Sequence, residues 1–508
     1  MQTPATSCDL FVIGGGINGA AIACAAAARG MKIAVADARD FAEGTSSRSS
    51  KLIHGGLRYL ETYDFRLVRH ALQEREILMA RTPHLVWPIR LVLPHVPSLR
   101  PRWLIRLGLF LYDHLASRKT LPASEMLRLP GHAFGLPLKS DYKFGFAYSD
   151  CRGDDARLVI ANLLGAQALG AQILSRHKVT GAQRVDGGWR ITLEDVLTGD
   201  SREIAARALV NAAGPWVVSV AGTLDGVTTN RHLRLVRGSH IVVPRLWAGE
   251  QGYFLQTTDN RTMEMFPYED DFTSIGTTDT PWERPPEEVD VSAEEVDYML
   301  EQVNRYLKVP VKPADILWRY AGVRPLFEAG GARDSDLSTL TRDYAFEIDA
   351  SAGAPVLTVF GGKLTTHRRM AEDAMTRLAA VFPVPVRHQA AGAPLPGGDF
   401  GPGGIAGFER ELAQHHPWAP AALRKRWVRL YGTRTQELIG PAKSLDDLGF
   451  LFGHDLYARE VDFLIRTEWA LTAEDILWRR TKLGLRLSRE EEAGLAAYLA
   501  ARQPPARA

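Results

Sequence analysis

The chain has 508 residues, 45% hydrophobic and 24% charged, which is ordinary for a folded soluble or peripheral protein of two or three domains. A formal net charge of +2, with no long Lys/Arg block, argues against nucleic acid as a partner. Cys8, Cys24 and Cys151, without a C-x-x-C, form neither a disulfide framework nor a zinc site and fit a reducing cytosol; residues 1–9 lack a signal-peptide pattern, and no stretch approaches the roughly 18 apolar residues of a spanning helix.

Residues 10–13, Leu-Phe-Val-Ile, read as a short buried parallel strand. Gly14, Gly16 and Gly19 follow at G-x-G-x-x-G spacing, with Gly15, Ile17 and Asn18 between them. The first glycine permits a tight turn. The second lets the backbone approach a pyrophosphate, and the third lets helix and strand pack closely. Residues 20–29 are nearly all Ala, so the predicted helix can lie close to its sheet with its N-terminal N–H groups toward the phosphates. Gly30 is its expected C-cap. Residues 31–36 form a second strand, and Asp37 ends it about 20 residues past the glycines, where an acid bonds a ribose hydroxyl. Strand, glycines, helix, strand and acid in this order predict a dinucleotide cofactor.

Residues 45–60, TSSRSSKLIHGGLRYL, are polar and glycine-containing and end near a cation, Arg58. They suit a segment that runs along the rest of a long cofactor. With the cradle they predict bound FAD, an anionic substrate at the flavin end and redox chemistry. Phe65, Val68, Leu72 and Met79 fall on one face of a helix. Residues 100–119, RPRWLIRLGLFLYDHLASRK, make a helix that is apolar over most of its circumference, with Arg102, Arg106 and Asp113 as one narrow polar stripe. Such a helix is either deeply buried or partly in lipid. Trp103 and Tyr112 suit an interface, and the flanking Arg100, Arg102, Arg118 and Lys119 suit anionic headgroups.

Residues 154–170 read as a helix, 173–179 and the alternating Trp189, Ile191 and Leu193 as strands, and 208–213 as an apolar strand leading to Gly214. Short strands are expected at 240–243, 253–256, 262–266 and 272–276. The strand at 356–360 runs into Gly361, Gly362, Lys363, Leu364, Thr365 and Thr366. Two glycines and a helix start there aim N–H groups at a flavin edge that gains negative charge on reduction. Residues 383–404 read as a Pro/Gly linker, followed by helices at 421–431, 458–469 and 472–482, whose Trp427, Trp469 and Trp478 are packing residues. Residues 501–508 are expected to fray.

GGGINGA, SSKLIHGGLRYLE, FAYSDCRGDDARL, NAAGPW, GSHIVVP, IGTTD, GVRPL and FGGKLTTHR occur in this order. Over nearly the whole chain this resembles the FAD-dependent glycerol-3-phosphate dehydrogenases of the respiratory, quinone-linked type. SSKLIHGGLRYL and FGGKLTT are the specific segments. The resemblance implies an α/β fold: a Rossmann-like FAD-binding domain of the glutathione-reductase/D-amino-acid-oxidase type, a β-rich substrate domain and a C-terminal helical cap. The expected divisions are 1–90, 150–230 and 340–385 for the discontinuous FAD domain, 91–149 and 231–339 for the substrate-binding, membrane-proximal domain, and 388–508 for the cap.

The resemblance implies that Gly14, Gly15, Gly16, Ile17, Asn18, Gly19, Asp37, Thr45, Ser46, Ser50, Lys51, Leu52, His54, Gly56, Val179, Gly214, Gly362, Lys363, Leu364 and Thr365 surround FAD. Val179 supplies a backbone group to the adenine. A substrate with nearly two negative charges and little apolar surface needs several cations. By resemblance Arg58, Arg324 and Lys363 bind the phosphate and the C2 oxygen of glycerol 3-phosphate, with Tyr59 and Thr366 adding hydroxyls. Forming dihydroxyacetone phosphate requires hydride transfer from C2 to flavin N5 and a base for the hydroxyl proton. His240 is the candidate base, because imidazole titrates near neutral pH. Arg324 stabilises the nascent alkoxide, and Lys363 completes the catalytic set. His367 stands where relatives often carry Tyr, and Asp37 where Glu is common.

The implied acceptor is ubiquinone or menaquinone, and the implied location is the inner face of the cytoplasmic membrane, bound monotopically from the cytoplasm. A homodimer stands open. Two alternatives share the fold: a glycerol-phosphate oxidase that uses oxygen, and an oxidase of the amine and amino-acid group. A flavoprotein-derived binding module would require loss of the cationic set.

Overall fold

A computed structural model describes residues 6–60, 63–96, 99–118, 120–327, 343–385 and 392–502. Arg58 is described in its backbone only, and Lys119 and residues 503–508 lie outside the described set.

The first sheet is built around the apolar strand Thr6–Ile13. That strand lies parallel to Ile33–Ala36 on one side and to Ser201–Asn211 on the other. Ser201–Asn211 in turn runs parallel to Val356–Gly361, which carries the antiparallel edge strand Tyr344–Asp349. At the opposite end Gln172–Leu174 joins Ile33–Ala36 in parallel. The helix Ile17–Ala27 packs against the helices Asp155–Ala168 and His367–Leu378. Their small residues make this possible: a Cβ at Gly165 would sit 3.2 Å from Cys24 Sγ. One sheet is therefore assembled from segments that are distant in sequence.

The strand expected over 173–179 is broken in two, Gln172–Leu174 and His177–Val185. Arg176 adopts φ +56° at the break. Its guanidinium turns to Asp475 of the C-terminal region at 2.7 Å, and its N–H bonds Arg39 O. A tertiary ion pair thus overrides the local apolar pattern. Likewise the helix expected over 20–29 runs Ile17–Ala27 and is capped by Ala28, while Gly30 takes φ +82° just beyond it.

The second sheet contains Leu233–Pro244 near one end, paired with Phe272–Gly276 and Trp318–Phe327. It continues through Thr262–Tyr268, Gly252–Gln256, Val86–Pro94 and Phe144–Gly153 to the short strand Leu52–Ile53. Alternation sorts its two faces. Ile241, Val243, Met263, Met265 and Ile275 pack on Met299, Leu300 and Val303 of the helix Ala293–Asn304, whose start is fixed by a Ser292/Glu295 capping box. His240 and Tyr320 belong to the opposite set.

The helices Gly404–His415, Ala421–Tyr431, Ala458–Glu468 and Arg489–Ala500 share a separate core around Trp427. Trp469 meets Phe41 edge-on at 5.3 Å, and Trp478 stacks on Trp318 at 4.4 Å. The helix expected over 472–482 is a π-helical turn, Asp475–Arg480. It carries Arg479 and Arg480 back to Asp40, beside the cofactor cradle. Arg157 and Arg434 meet Glu468 in the same seam. Burial alone would raise the Glu468 pKa, but the charges of Arg157 and Arg434 outweigh it and hold the carboxyl at about 2.

The helix Arg102–His114 has an unusual orientation. Its polar stripe faces protein: Arg106 donates to Ser124 Oγ at 3.0 Å, Asp113 accepts from Ser124, and Arg102 lies over the Phe144 ring. Leu109 and Tyr112 are buried, whereas Trp103 is 68% exposed and Leu107 and Phe110 are each 48% exposed. Among the described residues no helix is long and apolar enough to cross a membrane.

Candidate active site

The cradle is shaped by what its glycines leave out. Gly14 has φ +104°, and a Cβ there would lie 2.7 Å from Ala212 O. A Cβ at Gly19 would lie 1.9 Å from Gly14 O, so the helix can rest on the turn only without one. Gly16 precedes the helix without a side-chain cap, which leaves the helix start to other acceptors. One is already placed, because Ile17 N–H donates to Ser46 Oγ at 2.9 Å. Asp37 Oδ2 accepts from Gly15 N at 2.6 Å and Oδ1 from Arg39 N at 2.9 Å. Burial, only partly offset by these bonds, pushes the Asp37 carboxyl up to about 6. His177 N–H bonds Asp37 O at 2.7 Å, which brings the strand carrying the half-buried Val179 beside the acid. Gly214, at φ +57°, starts the turn Gly214–Trp216 that follows the strand next to Thr6–Ile13.

From the cradle the polar segment is tied down nearly residue by residue. Thr45 Oγ1 donates to Val323 O at 2.6 Å, and Arg48 Nη1 donates to Ala321 O at 3.1 Å. Ser49 Oγ donates to Asp155 at 2.7 Å, Ser50 Oγ lies 3.2 Å from His240 Nε2, and His54 N donates to Thr365 Oγ1 at 3.2 Å. The segment thus begins at the start of the helix Ile17–Ala27 and ends on the turn Leu364–Thr366. From 46 to 54 an extended chain reaches roughly 30 Å at most, long enough to follow an extended dinucleotide.

Two side chains of this segment do other work. Lys51 Nζ is buried against Asp155 at 2.8 Å and Ser47 O at 2.9 Å, because a buried ammonium needs a counter-charge and acceptors. Leu52 packs in an apolar cluster with Val68, Leu72 and Tyr148. The Lys51 side chain is thus held in an ion pair and the Leu52 side chain in apolar packing, which leaves their backbone groups for a cofactor. Thr45 is committed to Val323 in the same way. Asp155 went unassigned in the sequence, although it lies in the quoted FAYSDCRGDDARL, because nothing local signals its partners Ser49 and Lys51 a hundred residues away.

The far end gathers the remaining candidates. Gly361 and Gly362 take φ +69° and +100°, and a Cβ on Gly362 would meet Asn18 Oδ1 at 2.9 Å. Asn18 Nδ2 donates to Gly361 O at 2.9 Å, which ties cradle to turn, while its buried Oδ1 has no hydrogen-bond partner among the described residues. Lys363 Nζ sits 3.9 Å over the ring of Tyr59, and Gly56, at φ +75°, passes close under the same ring. Thr365 and Thr366 are buried beneath the turn. Arg58 lies in the turn Leu57–Leu60 next to Tyr59, with its side chain outside the described set. Arg324 sits over Gly238, where a Cβ would meet its guanidinium at 2.4 Å, and donates to Thr277 Oγ1 at 2.7 Å and to Asp279. Thr277 and Asp279, in the quoted IGTTD, are further partners to which the sequence assigned no role.

His240 is 1% exposed, and its ring stacks on Tyr320 at 4.7 Å with 5° between the planes. Gly276 opposite leaves the ring room, since a Cβ there would lie 2.2 Å from it. Burial, then the charges of Arg324 and Lys51, push this imidazole well below its usual range. It is neutral at pH 7, and the shift makes it a weaker proton acceptor than the near-neutral imidazole expected from the sequence. His367 is different: buried, bonded through Nδ1 to Leu364 O at 2.7 Å and held at about 4, it props the turn from behind.

A positive-φ glycine cradle, an open helix start, a ribose-type acid and the buried Asn18 Oδ1 between cradle and turn together fit FAD. The model of the family described as "FAD dependent oxidoreductase" matches residues 9–368, and the "C-terminal domain of alpha-glycerophosphate oxidase" matches residues 389–500. The chain is 49% identical to a D-erythritol 1-phosphate dehydrogenase of Brucella abortus, with 97% of each chain covered. It is 48% identical to a glycerol-3-phosphate dehydrogenase of Pseudomonas aeruginosa, covering 98% of this chain and 96% of that one. A glycerol-3-phosphate dehydrogenase of Bacillus halodurans solved with FAD superposes with a TM-score of 0.75 at 26% identity, covering 99% of this chain and 96% of the other. The chain belongs to the FAD-dependent oxidoreductase family, with FAD as its cofactor.

Proposed function

We propose that the protein oxidises sn-glycerol 3-phosphate to dihydroxyacetone phosphate and passes the electrons to a membrane quinone. The observation that carries this reading is the neutral, buried His240 beside Arg324, contacted by the same polar segment that starts at the FAD cradle. Bound FAD supplies the hydride acceptor. Arg58 and Lys363 hold the phosphate end, and Tyr59 fixes the Lys363 ammonium through its ring. His240 takes the C2 hydroxyl proton at Nε2, the nitrogen on the Ser50 side, and Tyr320 keeps the ring in plane. Arg324, anchored by Thr277, stabilises the negative charge on the C2 oxygen as the proton leaves. Two relatives that act on glycerol 3-phosphate support the substrate.

A second reading, oxidation of the longer erythritol 1-phosphate, is favoured by the relative of 49% identity. Both substrates present a phosphate and a secondary alcohol to the same residues. The outward apolar face of Arg102–His114 supports binding from the cytoplasm to the inner face of the cytoplasmic membrane, where a lipid-soluble quinone is reached. The test is anaerobic addition of each polyol phosphate to the purified, flavin-loaded protein. Rapid bleaching by glycerol 3-phosphate, reversed by a quinone analogue and only slowly by air, is expected. Faster bleaching by erythritol 1-phosphate would shift the substrate, rapid reversal by air would make the protein an oxidase, and no bleaching would refute both substrates.

A further inference from the structure

At the edge of the first sheet a cleft of about 720 Å³ opens between the strand Tyr344–Asp349, the helix His367–Leu378 and the start of the helix Phe65–Arg81. Four arginines from three chain segments line it: Arg66, Arg231, Arg369 and Arg377. The carboxylate among its described lining residues is Asp373, which accepts a hydrogen bond from Tyr344 Oη. Arg231 is paired with Glu347 at 3.4 Å, whereas Arg66, Arg369 and Arg377 form no ion pair among the described residues. Fields from two of them converge: burial first, then Arg369 and Arg66, lower the pKa of His70. Arginines on a sequence-wide surface usually find carboxylates or spread apart. Here they point at one concavity whose hydroxyls, Tyr344 and Thr376, add polar contacts and whose floor, Phe346 and Ile348, is apolar.

We propose that this cleft is a second anion site, which takes a phosphate monoester in its dianionic form and is separate from the cations around Lys363. Guanidinium forks match phosphate oxygens two at a time, and the volume suits a small phosphorylated molecule. An occupant also reaches the flavin end through the backbone. Tyr344 pairs with Gly361, and Arg369 and Arg377 lie on the helix that follows the turn Leu364–Thr366. The occupant is defined by that chemistry, a dianionic phosphate carried by a soluble metabolite or by a lipid headgroup.

The test titrates inorganic phosphate calorimetrically into the FAD-loaded protein at constant ionic strength, comparing the natural chain with R66Q/R377Q and with R369Q. Two classes of phosphate site are expected in the natural chain. The second is weakened at least about tenfold in each variant, in line with the loss of charge-assisted bonds, while the KM for flavin bleaching is unchanged. A parallel arm compares sedimentation with vesicles of phosphatidylcholine alone and with phosphatidic acid added. Phosphatidic-acid binding that the variants lose assigns the phosphate to a lipid headgroup; loss of phosphate heat alone assigns it to a soluble metabolite. One class of site in all three proteins, with equal vesicle binding, overturns the proposal. A natural chain that fails to bleach overturns the substrate reading instead and leaves the titration decisive for the cleft.

Discussion

Substituting Asp40→Ala tests whether the C-terminal helices hold the cofactor cradle in shape. Asp40 is 1% exposed and Arg480 fully buried, and the two form a fork with both N···O distances at 2.8 Å. Arg479 adds a third contact at 2.5 Å. Phe41, next in the chain, closes over Gly15 and meets Trp469. Removing the carboxylate leaves two guanidiniums in the interior, Arg480 with Glu468 O and Arg479 with Asp475, Glu474 and Glu43 as remaining partners. Breaking a buried pair from one side costs about 3–5 kcal/mol, against a total stability of roughly 5–15 kcal/mol. The expected result is a drop in Tm on the order of 5–10 °C, with flavin release, followed by its fluorescence, preceding loss of helical circular dichroism. The double substitution Asp40→Asn with Arg480→Met should recover most of the loss, because an apolar replacement removes the unpaired charge. A Tm within about 1 °C of the natural chain for Asp40→Ala, with flavin retained, would refute the reasoning.

Gly19→Ala forces a Cβ to within 1.9 Å of Gly14 O and should yield protein that purifies without the yellow cofactor; a fully loaded variant would contradict the role given to close packing. Arg324→Met should bind FAD normally but lower kcat/KM by roughly 10²–10³, measured by stopped-flow bleaching, since the developing oxyanion loses its charged donor; a loss under about tenfold would remove Arg324 from the chemistry. Trp103→Asp with Phe110→Asp should abolish vesicle binding while leaving bleaching in detergent intact, and unchanged sedimentation would show that the exposed face is not a membrane contact. His367 is held at about 4 against an ordinary value of 6.5, so the unfolded chain takes up its proton first as pH falls. Its contribution is fully present above pH 6.5 and is lost on descent to about 4, amounting to about 3 kcal/mol. His367→Gln should flatten the denaturant midpoint across that window, and an identical pH profile in both proteins would count against the assignment.

Features written in local periodicity were the ones legible beforehand. The strand Thr6–Ile13, the glycine turn and the Ala-rich helix follow from neighbours within a few residues, and so do the helix Ala421–Tyr431 and the strand Phe272–Gly276. Placement of the candidate residues near one another came from ordered motifs rather than from physics of the single chain. The unread parts depend on partners far along the sequence. Arg176 broke a strand for Asp475, and Lys51 was claimed by Asp155. A helical wheel of Arg102–His114 identified two faces but not which one meets protein. Ser124 decided that, by drawing Arg106 and Asp113 inward. Thr277 and Asp279 lie in the quoted IGTTD, but nothing local shows that their partner is Arg324.

The interleaving of segments in the first sheet also bears on how the enzyme is made. Its central strand leaves the ribosome first, yet the neighbour Ser201–Asn211 follows nearly two hundred residues later, and Val356–Gly361 later still. Arg479 and Arg480 arrive later again. Until then the nascent chain displays an apolar sheet edge and an Ala-rich helix with nothing to cover them, the condition in which long-range folds aggregate or engage chaperones. Flavin capture is therefore a late event of biogenesis, and C-terminal truncations should accumulate as colourless, protease-sensitive chains even though they retain the entire nucleotide-binding motif.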